Sequence, residues 1–343
     1  MQAHQLVSRS PGQLGLELRQ LPSALPPGAL LARARCTAIS AGTEIANYLG
    51  RTRQRSATSR DPYLPGYSFA GVVLDVGADV TQFAPGDRIC GPLPHASHAV
   101  EDRSEVLARI GRIPDGVSDR DAALSQLSCI ALNGVRRAHI ALGESVAVIG
   151  AGMVGQLAAR FAGLSGARPL AVFDPLPLRR SAALAMGASV ALGACLGERP
   201  EIAPHGFDVV IEATGHPEPV VSALRIAALG GRVVLLGSTR GLVEQFDAYG
   251  DVHLRGLTIV GAHVTTAPTH ATVADRWTEL ANREMILEMM RDRVLDFDPL
   301  VTHSVLPEQV PEVYATLAAA PGEHLGVVVD WSDARFGSEL ASR

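Results

Sequence analysis

The run Val146-Ala147-Val148-Ile149, followed at once by Gly150-Ala151-Gly152-Met153-Val154-Gly155, constrains this chain more than any other stretch. Four apolar residues end in Gly-x-Gly-x-x-Gly. A segment from Gln156 to Leu164 then places Leu157, Ala158, Phe161, Ala162 and Leu164 at helical spacing for one buried face. Strand, glycine turn and helix in that order form the context in which the motif binds a dinucleotide rather than merely turning the chain. Gly150 permits the tight turn, Gly152 lets a pyrophosphate approach the backbone, and Gly155 lets the helix pack on the strand. The helix start at Met153 and Val154 then faces the phosphates.

A second apolar run, Leu170-Ala171-Val172-Phe173, closes on Asp174, 24 residues after Gly150. A carboxylate there accepts hydrogen bonds from the adenosine ribose hydroxyls and repels a 2′-phosphate, so the sequence predicts NAD(H) over NADP(H). Arg179, with Arg180 beside it, is close enough in sequence to reach the same cofactor; it weakens that preference without reversing it.

A chain of 343 residues can hold two domains, each large enough for its own core. Hydrophobic residues at 47% against 19% charged place it among globular proteins. A net charge of −5 gives no electrostatic reason to expect nucleic acid or an anionic membrane as partner. The sequence offers no membrane-spanning apolar run, and Met1-Gln2-Ala3-His4-Gln5 lacks the basic start and apolar core of a signal peptide. Cys36, Cys90, Cys129 and Cys195 are scattered without a Cys-x-x-Cys and read as reduced thiols, which predicts a cytoplasmic protein.

Before the glycine motif, Leu30 to Ile39, Gly71 to Gly77 and Asp87 to Ile89 read as short strands separated by Pro and Gly turns, an antiparallel β domain. Ser118 to about Arg137 turns helical. From Glu144 to Gly261 strands and helices alternate: Asp208 to Ile211 as strand, Pro219 to Ala228 as helix, then Gly231 to Gly237 and Leu257 to Gly261 as strands. That rhythm predicts a parallel, doubly wound sheet. A helix is expected from Ala271 to about Arg291. Strands at Val301 to Val305 and Leu325 to Val329 then rejoin the first domain, and a mobile end follows Trp331.

The landmarks Ala41-Gly42-Thr43-Glu44, Pro65-Gly66-Tyr67-Ser68-Phe69-Ala70-Gly71, Val80 to Arg88 and Ile113-Pro114-Asp115-Gly116, with the glycine motif, run in the order of the medium-chain dehydrogenase/reductase superfamily, alcohol dehydrogenase type, which the chain resembles over nearly its whole length. The resemblance implies an α/β architecture. A GroES-like β-rich catalytic domain (1–125 and 266–343) would flank a Rossmann domain (126–265), with the active site where they meet and a homodimer or homotetramer as the assembly. Zinc members carry Cys-Gly-Thr-Asp/Glu and Gly-His-Glu, where this chain has Ala41 and Gly66-Tyr67-Ser68. Relatives also carry four cysteines in the loop where Cys90 stands alone. A catalytic zinc needs about three protein ligands and a structural one four, so no metal is expected. Ser-Ala-Gly-Thr-Glu, Pro-Gly-Tyr-Ser and Pro-His-Ala-Ser-His are similar to bacteriochlorophyllide-type dehydrogenases and to zinc-free enzymes of bacterial secondary metabolism.

Without a Lewis acid, a side chain must move the hydroxyl proton. Tyr67, at the former zinc-histidine position, is either that proton donor or an aromatic filling the space of the lost metal. His95 and His98 are either a base near neutral pH or two loop histidines with ordinary hydrogen bonds. Thr43 matches the family hydroxyl that relays the substrate proton, and Glu44 the acidic position after it. Thr214 and Gly215 match the turn near the nicotinamide-side ribose, or form a plain strand–helix turn. Asn133 and Arg136 stand at the start of the domain joint and could serve packing alone. The expectation is a zinc-independent NAD(H)-dependent interconversion of a secondary alcohol and a ketone on a small molecule, a polyol, cyclitol or other secondary metabolite. Alternatives are an enone or quinone reductase, a nicotinamide-dependent epimerase, and a non-catalytic NAD(H)-binding redox sensor.

Overall fold

The computed structural model describes residues 2–52, 55, 62–194, 201–320 and 322–336; Cys195 and 337–343, part of the expected mobile end, lie outside them. The chain divides into two compact units, Met1–Gln126 with Trp277–Arg343, and Leu127–Arg276.

Among the described residues the second unit holds six parallel strands. In chain order they are Val146–Ile149, Leu170–Phe173, Val190–Leu192, Phe207–Glu212, Ala227–Leu235 and Thr258–Gly261. Their order in the sheet is third, second, first, fourth, fifth, sixth, the doubly wound arrangement of a Rossmann sheet. The first two strands are buried at every position, as parallel strands covered on both faces must be, which is why they read as unbroken apolar runs. The order reverses between the first and fourth strands, whose ends carry Gly150 and Thr214. That is where such sheets bind ligands.

The first unit is β-rich. One path of its sheet runs Val301–Val305, Gly326–Asp330, Leu30–Ala38, Phe69–Val76, Arg88–Gly91 and Gly111–Arg112, with His98–Glu101 also paired to Leu30–Ala38. All pairings are antiparallel except the first. Leu30, Phe69, Ile89, Tyr314 and Trp331 belong to its core. A separate hairpin, Gln2–Ser10 with Gln13–Gln20, turns at Pro11-Gly12.

Two expectations need correction. The helix predicted from Ala271 starts only at Glu279, capped by the Thr278 hydroxyl, which accepts from the Ala281 amide at 3.1 Å. Upstream, the Thr272 hydroxyl accepts from the Asp275 amide at 2.9 Å, a local side-chain bond that competes with helix. The helix predicted over Ser118–Arg137 is two, Asp119–Ala123 and Ser125–Ala138. Among the described residues no helix is long and apolar enough to cross a membrane.

Candidate functional site

In the first unit, Ala41–Tyr48 is helical, so Thr43 and Glu44 sit in a first helical turn rather than a loop. Glu44 has no exposed surface. Its Oε1 accepts from the Ser40 amide at 2.8 Å. Its Oε2 accepts from the Tyr314 hydroxyl and lies 3.0 Å from His95 Nε2. His95 is also fully buried, and its Nδ1 lies 2.8 Å from Thr37 Oγ1, which accepts from the Trp331 indole at 2.9 Å. The Glu44 carboxylate only accepts, so His95 donates to it through Nε2, and in the neutral imidazole Nδ1 then accepts from the Thr37 hydroxyl. Both ring nitrogens are thereby spent. His95 holds Glu44 rather than facing solvent.

The segment before Tyr67 is pressed onto this network. Gly66 has φ +100°, and a Cβ there would lie 2.3 Å from the His95 backbone nitrogen, so glycine is required on both counts. Tyr67, partly exposed, donates from its hydroxyl to Ser40 Oγ at 2.5 Å. Thr43 is partly exposed, and its hydroxyl makes no hydrogen bond among the described residues. Two further phenols surround Glu44. Burial, and then the nearby Glu44 charge, push both Tyr63 and Tyr314 above the usual tyrosine range.

His98 is elsewhere in the first unit. It is 3% exposed and cross-strand from Arg33, and its Nδ1 lies 3.1 Å from Ser97 Oγ. Burial pushes its imidazole down to about 4, with Arg33 and His4 adding to the effect. A ring that stays neutral down to that pH is a poor base at neutrality. The structure therefore brings Thr43, Glu44, Tyr67 and His95 into one neighbourhood and leaves His98 in another.

The residues at the former zinc positions do not suit zinc. Ala41 offers no ligand atom, the Tyr67 phenol is bonded to Ser40, and the buried Ser68 hydroxyl is a neutral oxygen without a partner among the described residues. No group of three His, Cys, Asp or Glu side chains among the described residues could hold a metal ion.

In the second unit, each glycine of the motif has its own reason. Gly150 has φ +91° and would meet Thr214 with a Cβ at 2.7 Å. A Cβ on Gly155 would lie 1.8 Å from the Gly150 carbonyl oxygen. Gly152 caps the helix Met153–Leu164 without a side chain and faces open space, a cradle a Cβ would enter. The amides of Met153, Val154 and Gly155 begin this helix, suiting a pyrophosphate. Asp174 follows the second strand, 2% exposed. Its Oδ2 accepts from the Ala151 amide at 2.8 Å and its Oδ1 from Leu176 at 2.9 Å. Arg179 Nη1 lies 3.5 Å from that carboxylate, and Arg180 donates to the Asp174 carbonyl at 2.9 Å.

Glu212, which the sequence reading passed over, is fully buried at the end of the fourth strand. Burial pushes its carboxyl above the usual range, against the opposing pull of its hydrogen bonds to Thr214. It accepts from the Thr214 amide at 2.7 Å and from the Thr214 hydroxyl, fixing the turn that carries Gly215 at φ +76°. An acid closing the run Val209-Val210-Ile211 was the available signal. Asn133 donates to the Ala262 carbonyl at 3.1 Å, a packing role within the unit. Burial lowers Arg136 to about 10.

Two family models match in sequence: an alcohol dehydrogenase GroES-like domain over residues 27–132 and a zinc-binding dehydrogenase over 153–282. The chain belongs to the medium-chain dehydrogenase/reductase superfamily. It is similar to D-guloside 3-dehydrogenase of Escherichia coli K12, 29% identical over 252 residues, which covers 71% of each chain. Its fold is similar to a Sinorhizobium meliloti 1021 protein bound to NADP, with TM-score 0.78, 22% identity, and 96% and 99% of the two chains covered. It is also similar to an alcohol dehydrogenase of Escherichia coli CFT073 complexed with NADH, with TM-score 0.78, 18% identity, and the same coverage.

Proposed function

We propose that this chain is a zinc-independent, NAD(H)-dependent dehydrogenase that interconverts a secondary alcohol and a ketone on a polyol, cyclitol or related secondary metabolite. The observation that carries the reading is the pair of Tyr67 and Ser40, a phenol held by a hydroxyl at a position where zinc-dependent members place a metal ligand. The similarity to a D-guloside 3-dehydrogenase supports the substrate class. Solved neighbours carry NADP in one case and NADH in another, and the Asp174 carboxylate at the end of the second strand favours NAD(H) here. A homo-oligomer in the cytoplasm goes with this reading.

The nicotinamide, when bound, supplies or accepts hydride. Gly150, Gly152 and Gly155 with the amides of Met153 and Val154 bind its phosphates, Asp174 with Arg179 at its side takes the adenosine ribose, and Thr214 and Gly215 shape the far end. In the ketone-reducing direction Tyr67 gives its hydroxyl proton to the carbonyl oxygen, a role within the reach of a phenol as a residue type. Thr43 orients that oxygen through its hydroxyl. Glu44 and His95 do not touch substrate; they hold the backbone of Ser40.

Metal analysis together with fluorescence titration of NADH and NADPH tests this. The expected result is protein without zinc that binds NADH at least about tenfold tighter than NADPH, a difference of about 1.4 kcal/mol, and reduces NAD with a panel of cyclic polyols. Stoichiometric zinc, or NADPH preference, overturns the zinc-free or the NAD assignment respectively. Tight NADH binding with no turnover of any alcohol or carbonyl would identify a redox sensor instead.

A further inference from the structure

Serine is among the best helix N-cap residues because its side-chain oxygen accepts from an amide two or three positions on. Ser40 holds that position before Ala41–Tyr48, yet its side chain makes no capping bond. Its hydroxyl oxygen is 2.5 Å from the Tyr67 phenol instead, and its amide is taken by the buried Glu44 Oε1 at 2.8 Å. The carboxylate is itself fixed from its other oxygen by His95 and Tyr314. A helix cap has been traded for a contact with one phenol, and a fully buried network maintains it.

We propose that Ser40 is the positioning residue of proton transfer: in the resting site it accepts the Tyr67 hydrogen bond, and when the phenol turns its single proton to the carbonyl oxygen, Ser40 rotates to donate to the phenolic oxygen and keeps that bond to the phenolate. This rests on the dehydrogenase reading above. A serine hydroxyl carries one proton and two lone pairs, so it serves both states by rotation about Cβ–Oγ. In the reducing direction the carbonyl carbon gains hydride, the Tyr67 O–H bond breaks, and its proton goes to the carbonyl oxygen. Ser40 keeps its proton and donates a hydrogen bond to the phenolate, which water reprotonates. Oxidation runs the same steps backwards. A bond to an anionic oxygen is roughly twice as strong as a neutral one, so Ser40 stabilises phenolate over phenol.

The other ionisable groups of this neighbourhood are already committed. Tyr314 donates to Glu44, and the Tyr63 hydroxyl accepts from Asn47 at 3.2 Å while Arg55 lies over its ring at 5.4 Å. His95 and Glu44 bind each other at 3.0 Å. Burial raises both Tyr63 and Tyr314 above the usual tyrosine range.

The test separates this inference from the dehydrogenase reading. Without substrate, the Tyr67 ionisation is followed as the ultraviolet difference between each protein and its Tyr67→Phe counterpart. Ser40→Ala is expected to raise the midpoint by about one pH unit, tenfold in the ionisation constant. Ser40→Thr, which keeps a hydroxyl, restores it. With a turnover substrate, Ser40→Ala lowers kcat about ten- to a hundredfold and shifts the pH limb of kcat in the same direction, and it does nothing further in the Tyr67→Phe background. An unchanged phenol titration in Ser40→Ala, or an equal kcat loss with and without Tyr67, overturns the proposal. Failure to find any substrate leaves the titration to decide it alone.

Discussion

His95 and His98 stand three residues apart and look equivalent in the sequence, but the fold gives them opposite tasks. His95 bridges Glu44 and Thr37 with both nitrogens; His98 sits against Ser97, cross-strand from Arg33, with Nε2 buried and without a partner among the described residues. The difference bears on stability. Burial holds the His98 pKa at about 4, below its ordinary 6.5, so between these values the unfolded chain binds the proton more readily than the folded one. Stability is therefore full above pH 6.5, is lost as pH falls through that window, and levels off below about 4. The loss amounts to no more than about 3 kcal/mol. His98→Asn, which keeps a polar atom near the Nδ1 position, flattens this part of the curve; thermal unfolding at closely spaced pH values checks it. An equally steep curve in the variant would assign the acid sensitivity to other groups. Which histidine is which was not legible in the sequence, because the groups that set them apart, Glu44 and Thr37 for His95 and the cross-strand Arg33 for His98, lie more than fifty residues away along the chain.

At the scale of elements, the glycine motif was legible because three different requirements coincide on three fixed positions. They predict unequal outcomes. Gly155→Ala places a methyl 1.8 Å from the Gly150 carbonyl oxygen, so backbone must move, and a loss of about 1–3 kcal/mol is expected with cofactor binding lost as well. Gly152→Ala adds a methyl to open space at φ −66°, a conformation alanine adopts freely, so the unfolding midpoint stays near wild type while NADH affinity falls tenfold or more. Paired denaturation and fluorescence titrations distinguish them; equal loss of stability in both variants would show that Gly152 serves packing rather than the cofactor. Elsewhere the reading succeeded where apolar runs were long and failed where tertiary contacts make the element. Ala41–Tyr48 contains Gly42 and the β-branched Thr43 and Ile45, poor helix formers, and is secured by the buried Glu44, Ile45 and Tyr48. Helix Val310–Ala319 was passed over although Pro311 marks a first turn. Ser40 escaped notice for a related reason: its sequence signature is that of a cap, and only the structure shows the hydroxyl turned to Tyr67.

At the scale of the whole molecule, the first unit is built from two segments separated by the entire Rossmann unit, so residues 277–343 must find residues 1–126 after a long excursion. Part of the answer is strand pairing, Gly326–Asp330 onto Leu30–Ala38. The other part is Arg283, fully buried in helix Glu279–Arg291. It donates to the Arg109 carbonyl at 2.7 Å, to Ser125 Oγ at 3.0 Å, to Gln126 Oε1 at 2.5 Å and to Glu279 Oε1 at 3.1 Å. Gln126 Nε2 in turn donates to Glu279 Oε1 at 2.9 Å. The last residue before the chain leaves this unit is thus tied to the first helix after it returns. Gly111 packs so closely against Arg283 that a Cβ would lie 2.9 Å from its Cδ, so the guanidinium has little room to relocate. Removing Arg283 strips the buried Glu279 carboxylate of its nearer cation while Arg109 stays at 3.5 Å, and weakening a buried pair in this way costs more than the pair contributes when intact. Arg283→Ala should therefore lower the unfolding free energy by about 3–5 kcal/mol. Arg283→Met combined with Glu279→Gln should lose less than Arg283→Met alone, because the buried carboxylate is neutralised together with its nearer cation. Urea unfolding of the three variants measures both differences. If the double variant proves the less stable, the guanidinium contributes through its bonds to Arg109, Ser125 and Gln126 rather than by neutralising Glu279, and the return of the C-terminal segment is secured by hydrogen bonding more than by charge.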